Sequence, residues 1–181
     1  NTGKTSLFNA LTGLNQKVGN YPGITVDKKT GKCKLSEKIS ASIIDLPGTY
    51  SLNASSEDEN IAVKVLSDTT NENYPDIIVV VAEVENLKRN LLLFTQVKDL
   101  GLPTILAINM EDIMASKGIS IDVEALEEEL HTKIVLLSSK KNSGITDLKN
   151  AMLSYESVSL QPCELCSNSV LDNSALNEKQ Q

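Results

Sequence analysis

Residues 77–82 read Ile-Ile-Val-Val-Val-Ala, the longest purely aliphatic run in the chain. A short, unbroken apolar run predicts a strand that is buried on both faces, which is typical of a parallel sheet. A helix that spans a membrane needs roughly 20 apolar residues, so this run is too short to be one. We therefore place a central parallel strand here.

Strand and helix patterns alternate on both sides of this run. The predicted strands are residues 30–35, 39–46, 77–82, 104–109 and 134–138, and the first two form a hairpin. The predicted helices are residues 3–11, 86–100, 122–131 and 145–155, with a further helix that begins at a capping box of Ser56 and Glu59. Residues between Gly13 and Thr30 are interpreted as a polar loop. The alternation predicts an α/β fold with a mostly parallel sheet and helices on both faces.

The composition limits the classes of function. The chain has 181 residues, 40% of them hydrophobic, which fits one packed domain. We assign that domain to residues 1–155 and interpret residues 156–181 as a polar tail or linker. The net charge of −7 disfavours nonspecific binding of nucleic acid. Three cysteines, with Cys163 and Cys166 in the tail, indicate free thiols in a reducing cytosol. The one histidine, His131, is expected to be a solvated residue at a helix end.

The first residues, Asn1-Thr2-Gly3-Lys4-Thr5, match the last part of the phosphate-binding pattern G-x-x-x-x-G-K-[ST]. In such a loop, backbone N–H groups and a helix N-terminus surround phosphates, the lysine adds positive charge, and the threonine hydroxyl ligates Mg²⁺. The leading glycine of the pattern is absent, and a simple glycine turn before a helix is the alternative. Because a preceding central strand is also absent, we expect the natural protein to begin upstream of Asn1.

A second motif follows the hairpin, where Ile43-Ile44-Asp45-Leu46-Pro47-Gly48 delivers an acid and then a glycine. The acid can hold a Mg²⁺ water, and the glycine N–H can approach a γ-phosphate because no Cβ intervenes. A capped strand end is the alternative interpretation of this motif.

The third motif, Asn109-Met110-Glu111-Asp112, also follows a predicted buried strand. A carboxylate only accepts hydrogen bonds, so Asp112 can take both N1–H and the exocyclic amine of guanine, which adenine does not offer in that arrangement. Asn109 would connect the base-binding loop to the phosphate loop, and Ser138-Ser139-Lys140 would complete the base pocket. Four partial motifs in order, three of them after strands, predict a GTP-binding site at the carboxyl edge of a parallel sheet.

Together these motifs resemble the Ras-like, translation-factor-class G domains among the P-loop NTPases, and more narrowly the cytosolic G domain of the ferrous iron transport protein B family. The narrower resemblance rests on residues 18–27 (VGNYPGITVD), 45–52 (DLPGTYSL) and 86–91 (NLKRNL), and on Asn109-Met110 in place of the commoner Asn-Lys. It covers residues 1–155. It implies a slow, K⁺-stimulated GTPase that switches a ferrous iron transporter at the cytoplasmic face of the bacterial inner membrane.

By this resemblance the hydroxyl of Thr25 joins Mg²⁺ in a first switch loop at residues 23–27, and Asn1 helps to bind K⁺. Lys4, Thr25 and Gly48 are the predicted catalytic residues, and Thr5, Thr25 and Asp45 the predicted Mg²⁺ ligands. The full set of predicted contacts to GTP or GDP and its ions is Asn1, Thr2, Gly3, Lys4, Thr5, Ser6, Gly23, Ile24, Thr25, Val26, Asp27, Asp45, Leu46, Pro47, Gly48, Asn109, Met110, Asp112, Ser138, Ser139 and Lys140.

Two positions depart from the family pattern. Thr49 stands where many GTPases hold a glutamine that orients water, so slow unaided hydrolysis is expected. Glu83 lies near a position where aspartate is usual. The implied partners are guanine nucleotide and a membrane-embedded domain of the same protein. No nucleic-acid partner is expected. Whether the chain forms a homo-oligomer is left undecided. The alternatives are a ribosome-assembly or tRNA-modifying GTPase and a regulatory module that senses GTP or GDP without hydrolysis.

Overall fold

The computed structural model describes residues 2–21, 26–52 and 57–154. The helices of this part of the chain are α1 (Lys4–Thr12), α2 (Glu57–Ser67), α3 (Leu87–Lys98), α4 (Met114–Lys117), α5 (Val123–Leu130) and α6 (Ile145–Leu153). The strands are β1 (Gln16–Asn20), β2 (Asp27–Lys34), β3 (Ser40–Asp45), β4 (Ile78–Glu83), β5 (Thr104–Asn109) and β6 (Ile134–Leu136). Short 3-10 turns lie at Val84–Asn86 and Glu111–Ile113.

A three-stranded parallel sheet, in the order β4-β5-β6, forms the centre of the molecule. Ile78 of β4 is opposite Thr104, and Leu106 of β5 is opposite Ile134. All six residues of β5 are buried, as its apolar sequence predicts for a strand covered on both faces. The carboxyl ends of these strands meet at one edge of the sheet, where the predicted motifs begin.

Two apolar clusters lie on opposite faces of this sheet. Leu106 and Ile108 point to one face, which is covered by residues of α2, α3 and α5. Ile105 and Ala107 point to the other face, which is covered by α1 and α6. The alternation follows from the two-residue period of a strand. It confirms the prediction of helices on both faces.

The strands β1, β2 and β3 form a separate antiparallel sheet. The predicted hairpin is confirmed, since β2 and β3 pair and Leu35 N donates to Ile39 O at 3.0 Å. We expected one mostly parallel sheet, and the described residues instead form two sheets that share the cluster beneath α1 and α6. Cys33 from β2 is fully buried in that cluster.

Strand β1 replaces part of the loop predicted after Gly13. Its residues pair with β2, from Gln16 opposite Gly31 to Asn20 opposite Asp27. All five residues of β1 are exposed, so the strand lacks the apolar alternation that marks a half-buried strand in a sequence. The prediction was wrong here because backbone pairing, which leaves no side-chain pattern, forms the strand.

Helix ends agree with the predictions to within two residues where the structure describes them. The Asp122 side chain caps α5 by accepting a hydrogen bond from Ala125 N at 3.1 Å. His131 ends this helix with φ 45° and is exposed, as expected. The buried ammonium of Lys98 on α3 donates to the carbonyls of Leu130 and His131, the latter at 2.6 Å. A cation at this position is favourable, because the C-terminus of a helix carries partial negative charge.

The predicted tail, with Cys163 and Cys166, lies outside the described residues, as do Ser56 of the capping box and the last predicted residue of the final helix. Within residues 2–21, 26–52 and 57–154, no helix has the length and apolar character that crossing a membrane requires.

Candidate functional site

The phosphate-loop motif forms a tight turn that leads directly into α1. Gly3 adopts a left-handed conformation with φ 79°, and its carbonyl accepts the first helical hydrogen bond from Leu7 N at 2.9 Å. Thr5 and Ser6 are exposed in the first turn of α1, where free N–H groups point out of the helix. This is the backbone geometry that favours an anion.

The Lys4 side chain reaches across to the end of β3. Its ammonium donates to the Asp45 carboxylate and to the Leu46 carbonyl. The side chain of Asp45 is 7% exposed and that of Lys4 is 37% exposed, so the cation lies at the boundary between the site and solvent. The structure thus brings the predicted lysine and the predicted acid together, although they are far apart in sequence.

Asn109, at the end of β5, joins two of the predicted loops. Its Nδ2 donates to Thr2 O at 2.9 Å and to Ser139 Oγ at 3.1 Å, while its Oδ1 accepts from Ser139 N at 3.0 Å. Because the side chain is buried and its amide is bonded at both ends, it fixes the distance between the loops. The predicted connection between base loop and phosphate loop is therefore present in the structure.

Asp112 is oriented by a buried serine. Ser138 Oγ donates to Asp112 Oδ1 at 2.7 Å, and Ser138 is 1% exposed. This hydrogen bond lowers the pKa of Asp112 below its usual value, with smaller favourable contributions from Lys141 and Lys140. Met110 takes a left-handed conformation with φ 69° and turns the chain from β5 toward Asp112, while Lys140 is exposed beside them. A half-buried, ionised carboxylate therefore faces the open edge of the sheet.

A substitution at Gly3 tests how tightly this arrangement is packed. A Cβ at Gly3 would overlap Asn109 Nδ2, and the backbone is left-handed. We expect Gly3→Ala to lower the free energy of unfolding by about 2–4 kcal/mol, since left-handed strain adds to the loss of Asn109 hydrogen bonds. Urea denaturation measures this change.

Gly13→Ala is the matched control for that substitution. Gly13 has φ +62°, but a Cβ there would meet only Asn15 Nδ2 at 3.9 Å. It should cost about 1 kcal/mol, from backbone strain alone. Equal losses in the two variants would contradict a specific contact between Gly3 and Asn109.

Residues 48–52, which are named the second switch segment after the family resemblance, follow β3. Gly48 is exposed, and a Cβ built on it would meet nothing within 4 Å. Packing therefore does not require glycine at this position. Thr49 Oγ1 donates to Ser51 O at 2.5 Å and accepts from Ser51 N at 3.2 Å. Its hydroxyl is bonded within a local turn and also lies 3.4 Å from Glu59 Oε1. That Thr49 does not replace a glutamine that orients water stays a prediction.

The first switch loop, residues 23–27, is described only at Val26 and Asp27. Three predicted residues of this loop lie outside the described residues, namely Gly23, Ile24 and Thr25, and so does Asn1 of the phosphate loop. Asp27 was predicted in the loop and instead begins β2, where it pairs with Asn20. Its placement is a correction to the predicted loop, caused by the same strand pairing that forms β1.

Sequence reasoning did not single out Tyr21 as an anchor for this region. Tyr21 is 4% exposed and packs with Ile61 and Val65 of α2, alongside Val26 and Leu46. Burial, and to a smaller extent the negative charge of Asp45, raise its pKa to about 12. Its hydroxyl has no hydrogen-bond partner among the described residues. The presence of a tyrosine within residues 18–27 could have pointed to such an anchor, but its contacts with α2 are not visible in the sequence.

The environment of Asp45 fits a cation with oxygen ligands. The Lys4 ammonium lies between a carboxylate and a carbonyl oxygen, so this position already favours positive charge. Carboxylate and hydroxyl oxygens are also the ligands that Mg²⁺ prefers, and Thr5 lies next to Lys4. In the part of the chain that is described, no group of three or more His, Cys, Asp or Glu side chains could hold a metal by itself. Phosphate oxygens would have to complete such a site.

Comparison with known proteins identifies the family. Residues 1–152 match the family model described as ferrous iron transport protein B. The chain belongs to this family. An Fe(2+) transporter FeoB from Legionella pneumophila is 43% identical over 98% of this chain and 23% of its own length. This membership removes the ribosome-assembly and tRNA-modifying alternatives.

Solved structures of FeoB cytosolic domains share the fold. The T. maritima domain in a GMPPNP form is 39% identical, with a TM-score of 0.80 over 86% of this chain and 60% of that one. The same domain in a GDP form has the same identity and TM-score over 86% of this chain and 59% of that one. The predicted α/β G-domain fold is thereby confirmed. The chain spans less than a quarter of the length of the curated FeoB relative described above.

Proposed function

We propose that this chain binds GTP and GDP and slowly hydrolyses GTP, as the switch domain of a ferrous iron transporter at the cytoplasmic face of the bacterial inner membrane. The observation that carries the proposal is the Asn109 side chain, which joins the phosphate loop at Thr2 to the base loop at Ser139. Such a bridge holds the two ends of one nucleotide at a fixed separation. The GDP and GMPPNP forms of the T. maritima relative support the choice of nucleotide.

Separate groups of residues bind the base and the phosphates. Asp112 accepts from the guanine N1–H and exocyclic amine, while Ser138 holds its carboxylate in place. The backbone of residues 138–140 borders the base beyond it. At the other end, the N–H groups of residues 2–6 face the phosphates at the start of α1. The site therefore distinguishes guanine from adenine by hydrogen-bond direction.

Hydrolysis would proceed by in-line attack of water on the γ-phosphate. Lys4 would exchange its present contacts with Asp45 and Leu46 for the β and γ phosphate oxygens, and so stabilise the developing charge. The Gly48 N–H is free to approach the γ-phosphate because no side chain intervenes. Thr5, Thr25 and Asp45 would hold Mg²⁺, which would supply further positive charge to the phosphates.

Potassium stimulation is the finer part of the proposal, with Asn1 as the K⁺ ligand. We expect GTP hydrolysis by the full-length protein to be about tenfold faster in KCl than in NaCl at equal ionic strength, a difference of about 1.4 kcal/mol in the barrier. Asn1→Ala should remove the difference, since a site without its amide oxygen no longer favours K⁺. Single-turnover phosphate release measures both rates.

Asn15→Ala is the control, because Asn15 is an exposed asparagine in the turn after α1. It should keep the full response to K⁺. Equal rates in both salts would leave a GTPase without the potassium site. Tight binding of GTP without turnover in either salt would instead favour the regulatory sensor.

A further inference from the structure

Two side chains of α3 hold the second switch segment. The guanidinium carbon of Arg89 lies 3.8 Å from the centroid of the Tyr50 ring, within the range of a cation–π contact. Gln96 Oε1 accepts a hydrogen bond from Leu52 N at 2.9 Å. Arg89 and Gln96 are about two turns apart on the same face of the helix. The helix therefore contacts this segment at two separate points.

These contacts immediately follow the residue proposed to meet the γ-phosphate. Gly48 is exposed, and a Cβ there would meet nothing within 4 Å, so no packing on its Cβ side holds it in place. The Leu52 side chain packs against the cluster beneath α3, and Thr49 closes its own turn through Ser51. Gly48 is therefore positioned through its chain neighbours, which are the end of β3 with Leu46 before it and residues 49–52 after it.

We propose that Arg89 and Gln96 are positioning residues, which fix residues 49–52 against α3 so that the Gly48 N–H is aligned for hydrolysis. This inference rests on the proposed GTPase function. Neither side chain lies in the base pocket or the phosphate loop. Their loss should therefore lower kcat and leave nucleotide affinity unchanged. General damage to the site would instead lower both kcat and affinity.

The test measures kcat and KM for GTP, and Kd for GDP, in the full-length protein. Arg89→Ala should lower kcat about two- to fivefold, the range expected for loss of an exposed cation–π contact. Gln96→Ala should lower kcat about two- to tenfold, as expected for one hydrogen bond to the backbone. KM and Kd should stay within about twofold of the wild-type values, since substrate contacts are intact.

A double-mutant cycle shows whether Arg89 acts through Tyr50. Tyr50→Ala should lower kcat as much as Arg89→Ala, and the double variant should lose no more than either single variant. Arg89→Lys keeps a cation over the ring and should restore most of the rate. Lys88→Ala, which removes an adjacent exposed cation from α3, should leave kcat unchanged. Additive losses, or an equal loss in Lys88→Ala, would overturn the proposal.

Hydrogen exchange provides a readout that is independent of activity. The Leu52 amide should be protected in the wild-type protein and exchange faster in Gln96→Ala. If both alanine variants kept the kcat of the wild-type protein, the positioning role alone would be overturned. Absence of wild-type turnover would overturn the GTPase proposal and this inference with it.

Discussion

Replacing Lys4 with alanine will lower single-turnover GTP hydrolysis by about a hundredfold or more, the effect expected when one preorganised charge is removed from a phosphate site. The ammonium is the cation that the structure places at the mouth of the site, in contact with Asp45 and Leu46. Without it, the negative charge that develops on the β and γ phosphates loses its nearest protein counter-charge. Rapid-quench measurement of phosphate release from bound GTP tests this expectation.

The same substitution removes the partner of Asp45, so its effect on folding must be separated from its effect on hydrolysis. The Lys4 side chain is partly exposed, and we expect the free energy of unfolding to fall by only about 1 kcal/mol. Lys29→Ala is the matched control, because Lys29 lies directly opposite Asp45 in the β2–β3 ladder. It removes a nearby positive charge without entering the phosphate loop. An equal loss of hydrolysis in the control would show that net charge around Asp45, and not contact with phosphate, sets the rate.

The parallel half of the fold could be predicted because burial on both faces leaves a clear signal. Strand β5 coincides with the predicted residues 104–109, and β4 differs from its prediction by one residue. Short polar motifs at the ends of these strands could be assigned to one site, since parallel strands end at a common edge. Asn109 was correctly expected to connect the two loops, because an amide can donate and accept at once.

Contacts between distant segments could not be predicted in the same way. Strand β1 is fully exposed and is formed by backbone pairing, so its sequence resembles that of a loop. Tyr21 packs against α2, and Arg89 and Gln96 contact the second switch, through side chains separated by about forty residues. Periodicity describes which face of one element is buried, but it does not say which residues of another element meet that face.

Replacing Asp112 with asparagine will exchange the base specificity of the site from guanine to xanthine. Guanine presents two donors, N1–H and the exocyclic amine, and the carboxylate accepts both. An amide in that position offers one acceptor and one donor, which matches N1–H and the second carbonyl of xanthine. Because hydrogen bonds to charged groups contribute about 1.5–3 kcal/mol each and two are changed, GDP affinity should fall by about 100-fold or more. Xanthosine diphosphate should bind more tightly than GDP, as fluorescence titration will measure.

The orientation of the new amide is what makes this exchange specific. Ser138 Oγ donates to the Oδ1 position of Asp112, so the amide oxygen will occupy that position and the amide nitrogen will face the base. Glu111→Gln removes one negative charge from the same loop and leaves the pairing intact, so it should keep guanine specificity. Adding Ser138→Ala to Asp112→Asn should lower the affinity for xanthosine diphosphate, because the amide can then rotate. If Asp112→Asn instead bound GDP and xanthosine diphosphate equally well, Asp112 would not read the base, and the preference for guanine would have to come from the backbone of residues 138–140.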